Sequence, residues 1–106
     1  RFDEMRRMGI RTVMITGESD LVEIRATVRY HVSDPRAFLF GVRDADGMVR
    51  SAAESVLREL VAGRRFQEVL TVRRADLERD ALDRLRRRLD GLGVGLDGFT
   101  LHDVHP

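Results

Sequence analysis

The chain has 106 residues, 42% of them hydrophobic and 35% charged, with no cysteine and no tryptophan. That length allows one core, so residues 1–106 are read as a single domain, and the apolar content lifts the chain out of the disordered class. All 19 basic residues are arginine and 18 acids oppose them, for a formal net charge of +1; bulk charge therefore gives no reason to expect nucleic acid or an acidic surface as partner, and the lack of cysteine excludes disulfides and thiolate chemistry.

The chain opens on "RFDEMRR" and closes on Pro106, and it reads as an excised piece of a longer protein. No apolar run approaches the roughly 18 residues of a spanning helix, and no signal-peptide pattern opens it. The first organised stretch is "IRTVMIT", a short alternation followed by the turn residues "GESD". A clearer alternation follows in "LVEIRATVRYHV": Val22, Ile24, Ala26, Val28, Tyr30 and Val32 fall on one face, and Glu23, Arg25, Thr27, Arg29 and His31 on the other. Residues 10–33 are thus predicted to form an antiparallel hairpin with one face in the core and one in water. Asp34-Pro35 ends the second strand, because proline offers no ladder donor and suits a first helical turn, with Ser33 or Asp34 as cap. The next residues, "RAFLF", are read as a helical turn laying Phe38 and Leu39 over the sheet.

Two helices are predicted next. In "DADGMVRSAAESVLRELVAG", Met48, Ala52, Val56 and Leu60 make one i,i+4 row and Val49, Ala53, Leu57 and Val61 the adjacent one. Asp44 or Asp46 caps the start, Gly63 stops the end, and Glu54 and Arg58 have the spacing of a surface ion pair. Ala52 and Ala53 suggest a close approach to the sheet. After a turn carrying Phe66, Val69 and Leu70, Thr71 can cap a second helix, with a stripe of Leu77, Ala81, Leu82, Leu85, Leu89 and Leu92. Asp80/Arg84 and Asp83/Arg87 are its expected bridges, and Gly91 and Gly93 break it. The final "VGLDGFTLHDVHP" alternates, shifts register at Asp97-Gly98 and resumes, as a strand with a bulge does. The fold class is therefore α+β: an antiparallel sheet packed against two amphipathic helices, with a C-terminal strand.

Residues fit for chemistry are few. His102, Asp103 and His105 lie on an extended segment with only His31 as a further imidazole, and they lack the helical i,i+4 spacing of a zinc motif. No serine has a nucleophile-elbow context, the glycines form no phosphate loop, and the carboxylates are spread as salt-bridge partners. Neither a catalytic residue, a metal nor a cofactor is expected. The "RLRRR" run, Arg84 with Arg86, Arg87 and Arg88, shares its helix with five acids and reads as a solvated face able to meet a neighbouring copy. The element order is also that of small nucleic-acid-binding α/β modules, the alternative reading. However, "GVRDADG" is not a GxxG clamp, and no strand carries an aromatic pair for stacking.

Taken together, "MITGESDLVEIRATVRYHVSDPRAFLFGVRD", "RSAAESVLRELVAGRRFQEVLT" and "GVGLDGFTLHDVHP" resemble the SPFH or Band 7 family (stomatin, prohibitin, flotillin, HflK/HflC), most closely its HflK branch. That branch shows the same succession: an alternating strand ending Y-x-V-x-DP, an LF-x-V segment, an R-x-AAES-x-LRE helix, an EVLT-x-x-R start to a second helix and a G-x-x-L-x-DV-x-P exit. The resemblance runs from about Gly9 to Pro106. It departs at Gly17–Leu21 and at Ala45-Asp46-Gly47, where the family commonly has an acidic, Asn-containing turn and a Pro-containing helix start. The resemblance implies a non-enzymatic scaffold, with an upstream membrane anchor and a downstream helical region absent from this chain. It implies partners in copies of itself, an HflC-like paralogue and an FtsH-type membrane protease. The place implied is the bacterial inner membrane, on the periplasmic side if the chain is HflK-like. Nothing in the family's pattern supplies catalytic residues. The histidine reading generates one test: saturating zinc is expected to leave the melting temperature within about one degree, since no preformed ligand set favours the native state. A large zinc-induced rise, lost in His102→Ala, would contradict it.

Overall fold

The computed structural model of the chain describes residues 4–15, 21–36, 44–62 and 74–105. Strands β1 (Arg6–Ile15), β2 (Leu21–Val32) and β3 (Val94–His105) form one antiparallel sheet in the order β1-β2-β3. Helices α1 (Ala45–Val61) and α2 (Arg74–Arg88) lie between β2 and β3 in sequence and pack on a single face of the sheet. The "GESD" turn, the Phe38–Leu39 turn, the Phe66–Leu70 turn, Gly63 and Thr71 lie outside the described residues.

β2 behaves as its alternation dictates. Val22, Ile24, Ala26, Val28, Tyr30 and Val32 are all buried, while the intervening residues are half-buried or exposed. β1 begins four residues earlier than expected: Arg6 pairs with Tyr30, and Met8 joins Ile10 and Thr12 as a buried residue facing the helices. The charge-rich "RRMG" hid this extension, because Met8 is the sole apolar side chain among the four. β3 pairs with β2 through two register shifts. One passes over Asp97, as predicted; the other passes over His102, between the pairs Arg25↔Asp103 and Ala26↔Leu101. A one-residue insertion bends a strand locally and increases its twist.

Asp44 is the cap of α1: its carboxylate accepts the Gly47 N–H at 2.8 Å. A Cβ on Gly47 would come within 2.2 Å of that carboxylate, so glycine leaves the room the cap needs. The two predicted rows are buried, with Met48 partly so, and Ala53 is fully inaccessible where α1 meets the core. The predicted Glu54–Arg58 and Asp83–Arg87 pairs are not among the ion pairs of the described residues. Exposed pairs of this spacing gain little over hydration.

α2 ends sooner than expected. Leu77, Ala81, Leu85 and Leu89 are buried, but Leu92 is 36% exposed, because the chain leaves the helical path through Gly91 and Gly93, at φ of 76° and 81°. Those left-handed conformations suit glycine and turn the chain straight into β3. The Gly93 carbonyl then accepts both the Ser33 N–H at 2.8 Å and the Asp34 N–H at 3.2 Å, fastening the end of β2 to the turn. Asp34, not Ser33, supplies the side-chain cap there, accepting the Arg36 N–H at 3.0 Å.

Leu57, 1% exposed, sits in the middle of the α1 stripe. Leu57→Asp is expected to unfold the domain, since an unpaired buried carboxylate costs several kcal/mol against a total stability of about 5 to 10 kcal/mol. Circular dichroism and a melting curve check it, and a native-like melt would show that the helix face is wrong.

Candidate functional site

The four arginines of "RLRRR" are divided by the turn of the helix. Arg84 and Arg88, one turn apart, both face α1, where Glu59 stands between them: Arg84 Nη1 donates to Glu59 Oε1 at 3.3 Å and Arg88 Nη2 to Oε2 at 2.5 Å. Arg84 also donates through Nε to Asp80 at 3.2 Å, the predicted i,i+4 bridge. Arg86 points the other way and donates to the Leu96 carbonyl of β3 at 3.0 Å. Arg87 remains exposed and, with Glu59, Arg84 and Arg88, lines a shallow surface hollow of about 360 Å³. The run is therefore not one continuous cationic face. Two arginines join the helices, one ties α2 to β3, and Arg87 faces solvent.

This arrangement shifts two ionisations. The hydrogen bond from Arg88, and to a lesser extent that from Arg84, holds the Glu59 carboxyl below the usual carboxylate range against the opposing effect of desolvation. Arg84 is raised above the ordinary arginine value, first by its bond to Asp80 and then by Glu59. Glu59 could not be picked out from sequence: it is one of several acids on the polar side of a helix, and its partners lie on another element. The spacing of Arg84 and Arg88 was the available signal, since an i,i+4 pair of cations on one helix face calls for an anion between them.

The water-facing side of the sheet is ordered by a second set of contacts. Arg29 donates to the Thr100 hydroxyl at 2.8 Å, His31 Nδ1 donates to the Asp97 carboxylate at 3.0 Å, and Thr27 and His102 share a hydrogen bond at 2.6 Å. Gly95 and Gly98 leave the space that these two side chains occupy. A Cβ on Gly95 would lie 2.4 Å from the His31 ring, and one on Gly98 would lie 1.9 Å from the Arg29 guanidinium. His31 and His102 are thus separated on the sheet, each with its own partner, and the side chain of His105 lies outside the described residues. Among the described residues, no three histidine, cysteine, aspartate or glutamate side chains gather as a metal site would require.

A comparison with known families matches residues 6–106 to the SPFH domain / Band 7 family. The chain belongs to the SPFH/Band 7 family. Curated relatives include Protein HflK of Haemophilus influenzae, 25% identical over 90% of this chain and 23% of its own length, and Protein HflK of Treponema pallidum, 27% identical over 90% of this chain and 30% of its own. The Escherichia coli K12 protein named Modulator of FtsH protease HflK is 26% identical over 97% of this chain and 24% of its own length. This SPFH domain thus spans about a quarter of the length of the relatives it matches. Its α+β architecture, a three-stranded antiparallel sheet covered by two helices, agrees with the resemblance read from its motifs.

The Glu59 cluster carries a pH prediction. Because its carboxyl is lowered in the folded state, the stability it contributes is complete above the ordinary glutamate value of about 4.3 and is lost as pH falls through the lower, folded value. Glu59→Gln is expected to melt below the parent chain at neutral pH, with the gap closing below about pH 4 as the parent's carboxyl takes up a proton. A gap that stayed constant down to pH 3 would show that the carboxylate charge is not what joins the helices.

Proposed function

We propose that this SPFH domain is the scaffold module of an HflK-like protein. In this reading it is non-enzymatic, acts at the bacterial inner membrane on the periplasmic side, assembles with copies of itself and with an HflC-like paralogue, and modulates an FtsH-type membrane protease. The observation that carries the reading is the family match across residues 6–106 together with curated relatives named HflK, one of them by its action on FtsH protease.

The geometry supports an association surface of modest strength. Exposed ion pairs contribute about 0 to 1 kcal/mol each, too little to hold a free dimer at micromolar concentration. Confinement to a plane changes this, because effective concentration multiplies weak contacts without any new one being made. Of the four arginines proposed for self-association, Arg87 is the one that, among the described residues, a neighbour can reach without breaking a contact within the domain. Arg84, Arg86 and Arg88 already bond to Glu59, Asp80 and the β3 backbone.

Light scattering of the free 106-residue chain is expected to give a monomer. The same chain tethered to vesicles is expected to yield cross-linked oligomers, reduced in Arg87→Glu, and to retain an FtsH-type protease from detergent-solubilised bacterial membranes. A tight oligomer in solution would place the association energy within the domain itself. Cross-linking unaffected by Arg87→Glu would place the contact on another face, and failure to retain the protease would remove the HflK-like partner from the reading.

A further inference from the structure

The two edges of the sheet are finished differently. In the order β1-β2-β3, each outer strand has one side without a neighbouring strand. On β3 that side is answered by α2: Arg86 donates to the Leu96 carbonyl at 3.0 Å, Arg74 donates to the Leu101 and His102 carbonyls, and the Glu78 carboxylate accepts the Leu101 N–H at 2.7 Å. On β1, among the described residues, the answered group is the Gly9 carbonyl, which accepts from Arg50 at 3.1 Å. That bond shows how the strand is turned. A carbonyl reached from outside points away from β2, and along a strand such groups alternate residue by residue. Arg7, Gly9, Arg11, Val13 and Ile15 therefore direct N–H and C=O outward from the sheet edge. Their side chains share the water-facing side, since Met8, Ile10 and Thr12 are buried against the helices.

This edge is long and regular. β1 pairs with β2 over 10 residues without a register shift and contains no proline, and Val13 and Ile15 on it are 53% and 64% exposed. An edge of that kind is a template for a further strand. Charge selects the strand that fits. Arg7 stands opposite Arg29 and Arg11 opposite Arg25, and like charges directly across a ladder disfavour each other. The β2 members are answered from the far side: Arg29 donates to Thr100 across Gly98, and Arg25 has Asp103 opposite it on β3. The β1 members have less. Arg11 has a loose contact with Glu23 at 3.6 Å, and among the described residues Arg7 makes no ion pair or side-chain hydrogen bond.

We propose that the free edge of β1 takes up an extended acidic segment of another protein as a fourth strand, with carboxylates opposite Arg7 and Arg11 and apolar side chains opposite Val13 and Ile15. Main-chain hydrogen bonds supply the attachment, and the alternate side chains supply the selectivity. Arg7 carries most of the charge selection, because Arg11 is shared with Glu23. Gly9, between the two arginines, offers no obstacle: nothing lies within 4 Å of where its Cβ would be. A second copy of β1 fits poorly. Antiparallel pairing over the whole of residues 7–15 is centred on Arg11 and sets that cation against its own counterpart, which is a repulsive pairing. The same arginines that hinder a like edge thus favour an acidic one. The inference goes beyond the scaffold reading and does not depend on it.

The test uses the 106-residue chain and a fluorescein-labelled nine-residue peptide that alternates threonine with, in order, valine, valine, glutamate, threonine and glutamate. Antiparallel alignment sets its valines against Ile15 and Val13 and its glutamates against Arg11 and Arg7. One control peptide carries lysine for both glutamates, and another keeps the glutamates but has methylated backbone nitrogens at the residues facing Val13 and Arg11. Fluorescence anisotropy reads binding, and hydrogen exchange followed by NMR reads its place. The glutamate peptide is expected to bind and to slow exchange at the amides of Arg7, Gly9, Arg11, Val13 and Ile15, while Met8, Ile10 and Thr12, whose amides face β2, stay unchanged. The lysine peptide is expected to bind about tenfold more weakly, and the methylated peptide not at all. Arg7→Glu is expected to weaken the glutamate peptide about fivefold and to strengthen the lysine peptide. Absence of binding, protection on another element, equal binding by the methylated peptide, or indifference to Arg7→Glu would each overturn the proposal. Protection of the same amides in the chain alone as its concentration rises would overturn it too, by assigning the edge to a second copy.

Discussion

The alternation of β2 governs the other elements, because this central strand pairs with β1 on one side and β3 on the other while its inner row forms the floor on which the helices rest. A register slip of one residue would send Val22, Ile24, Ala26, Val28, Tyr30 and Val32 to water and Arg25, Arg29 and His31 to the core. The cost would be the transfer of several apolar side chains, about 1.5 to 3 kcal/mol each, plus the burial of charge. The register is therefore strongly specified. Once it is fixed, Met8 and Ile10 on β1 and Leu96, Phe99 and Leu101 on β3 are brought to the same face, and the apolar stripes of both helices meet one continuous surface.

The outer face is organised by different means. β3 does not run evenly along β2; it takes up an extra residue at Asp97 and another at His102. At the Asp97 shift, glycines on either side leave space for long β2 side chains to lie across the β3 backbone, so His31 reaches Asp97 and Arg29 reaches Thr100. The second shift places His102 beside Thr27. The bulges thereby convert a plain hydrated surface into one with directed hydrogen bonds.

Charge is distributed locally in a chain whose total is close to zero. The two helices share Glu59 between two arginines, and Arg6 of β1 lies 3.5 Å from Asp46 at the start of α1, where an acid also suits the positive end of the helix. Arg50, Arg74 and Arg86 instead satisfy backbone carbonyls on the sheet. Arginine suits all these roles, since its planar fork spreads five donors over three nitrogens and can bond acceptors on different sides, whereas lysine gathers its three donors on one nitrogen. An all-arginine complement of cations is consistent with a small domain that uses its basic residues for joining elements as much as for solubility.

The sequence alone determined the order of elements, the buried face of β2, both apolar stripes, the Asp97 bulge and the glycine stop after α2. Each of these follows from local periodicity or from the backbone freedom of particular residues, and both are properties of short segments. Tertiary structure alone decided which arginine meets which partner. Arg84, Arg86, Arg87 and Arg88 lie close together in the chain, but 100° per residue sends them toward different neighbours, and Glu59, the Leu96 carbonyl and the Gly9 and His102 carbonyls bonded by Arg50 and Arg74 come from elements distant in sequence. The same limit explains Leu92, which fits the stripe by spacing but falls beyond the point where Gly91 turns the chain. Periodicity shows which side of an element is wet, whereas the partner of a charge on that side is set by how the elements pack together.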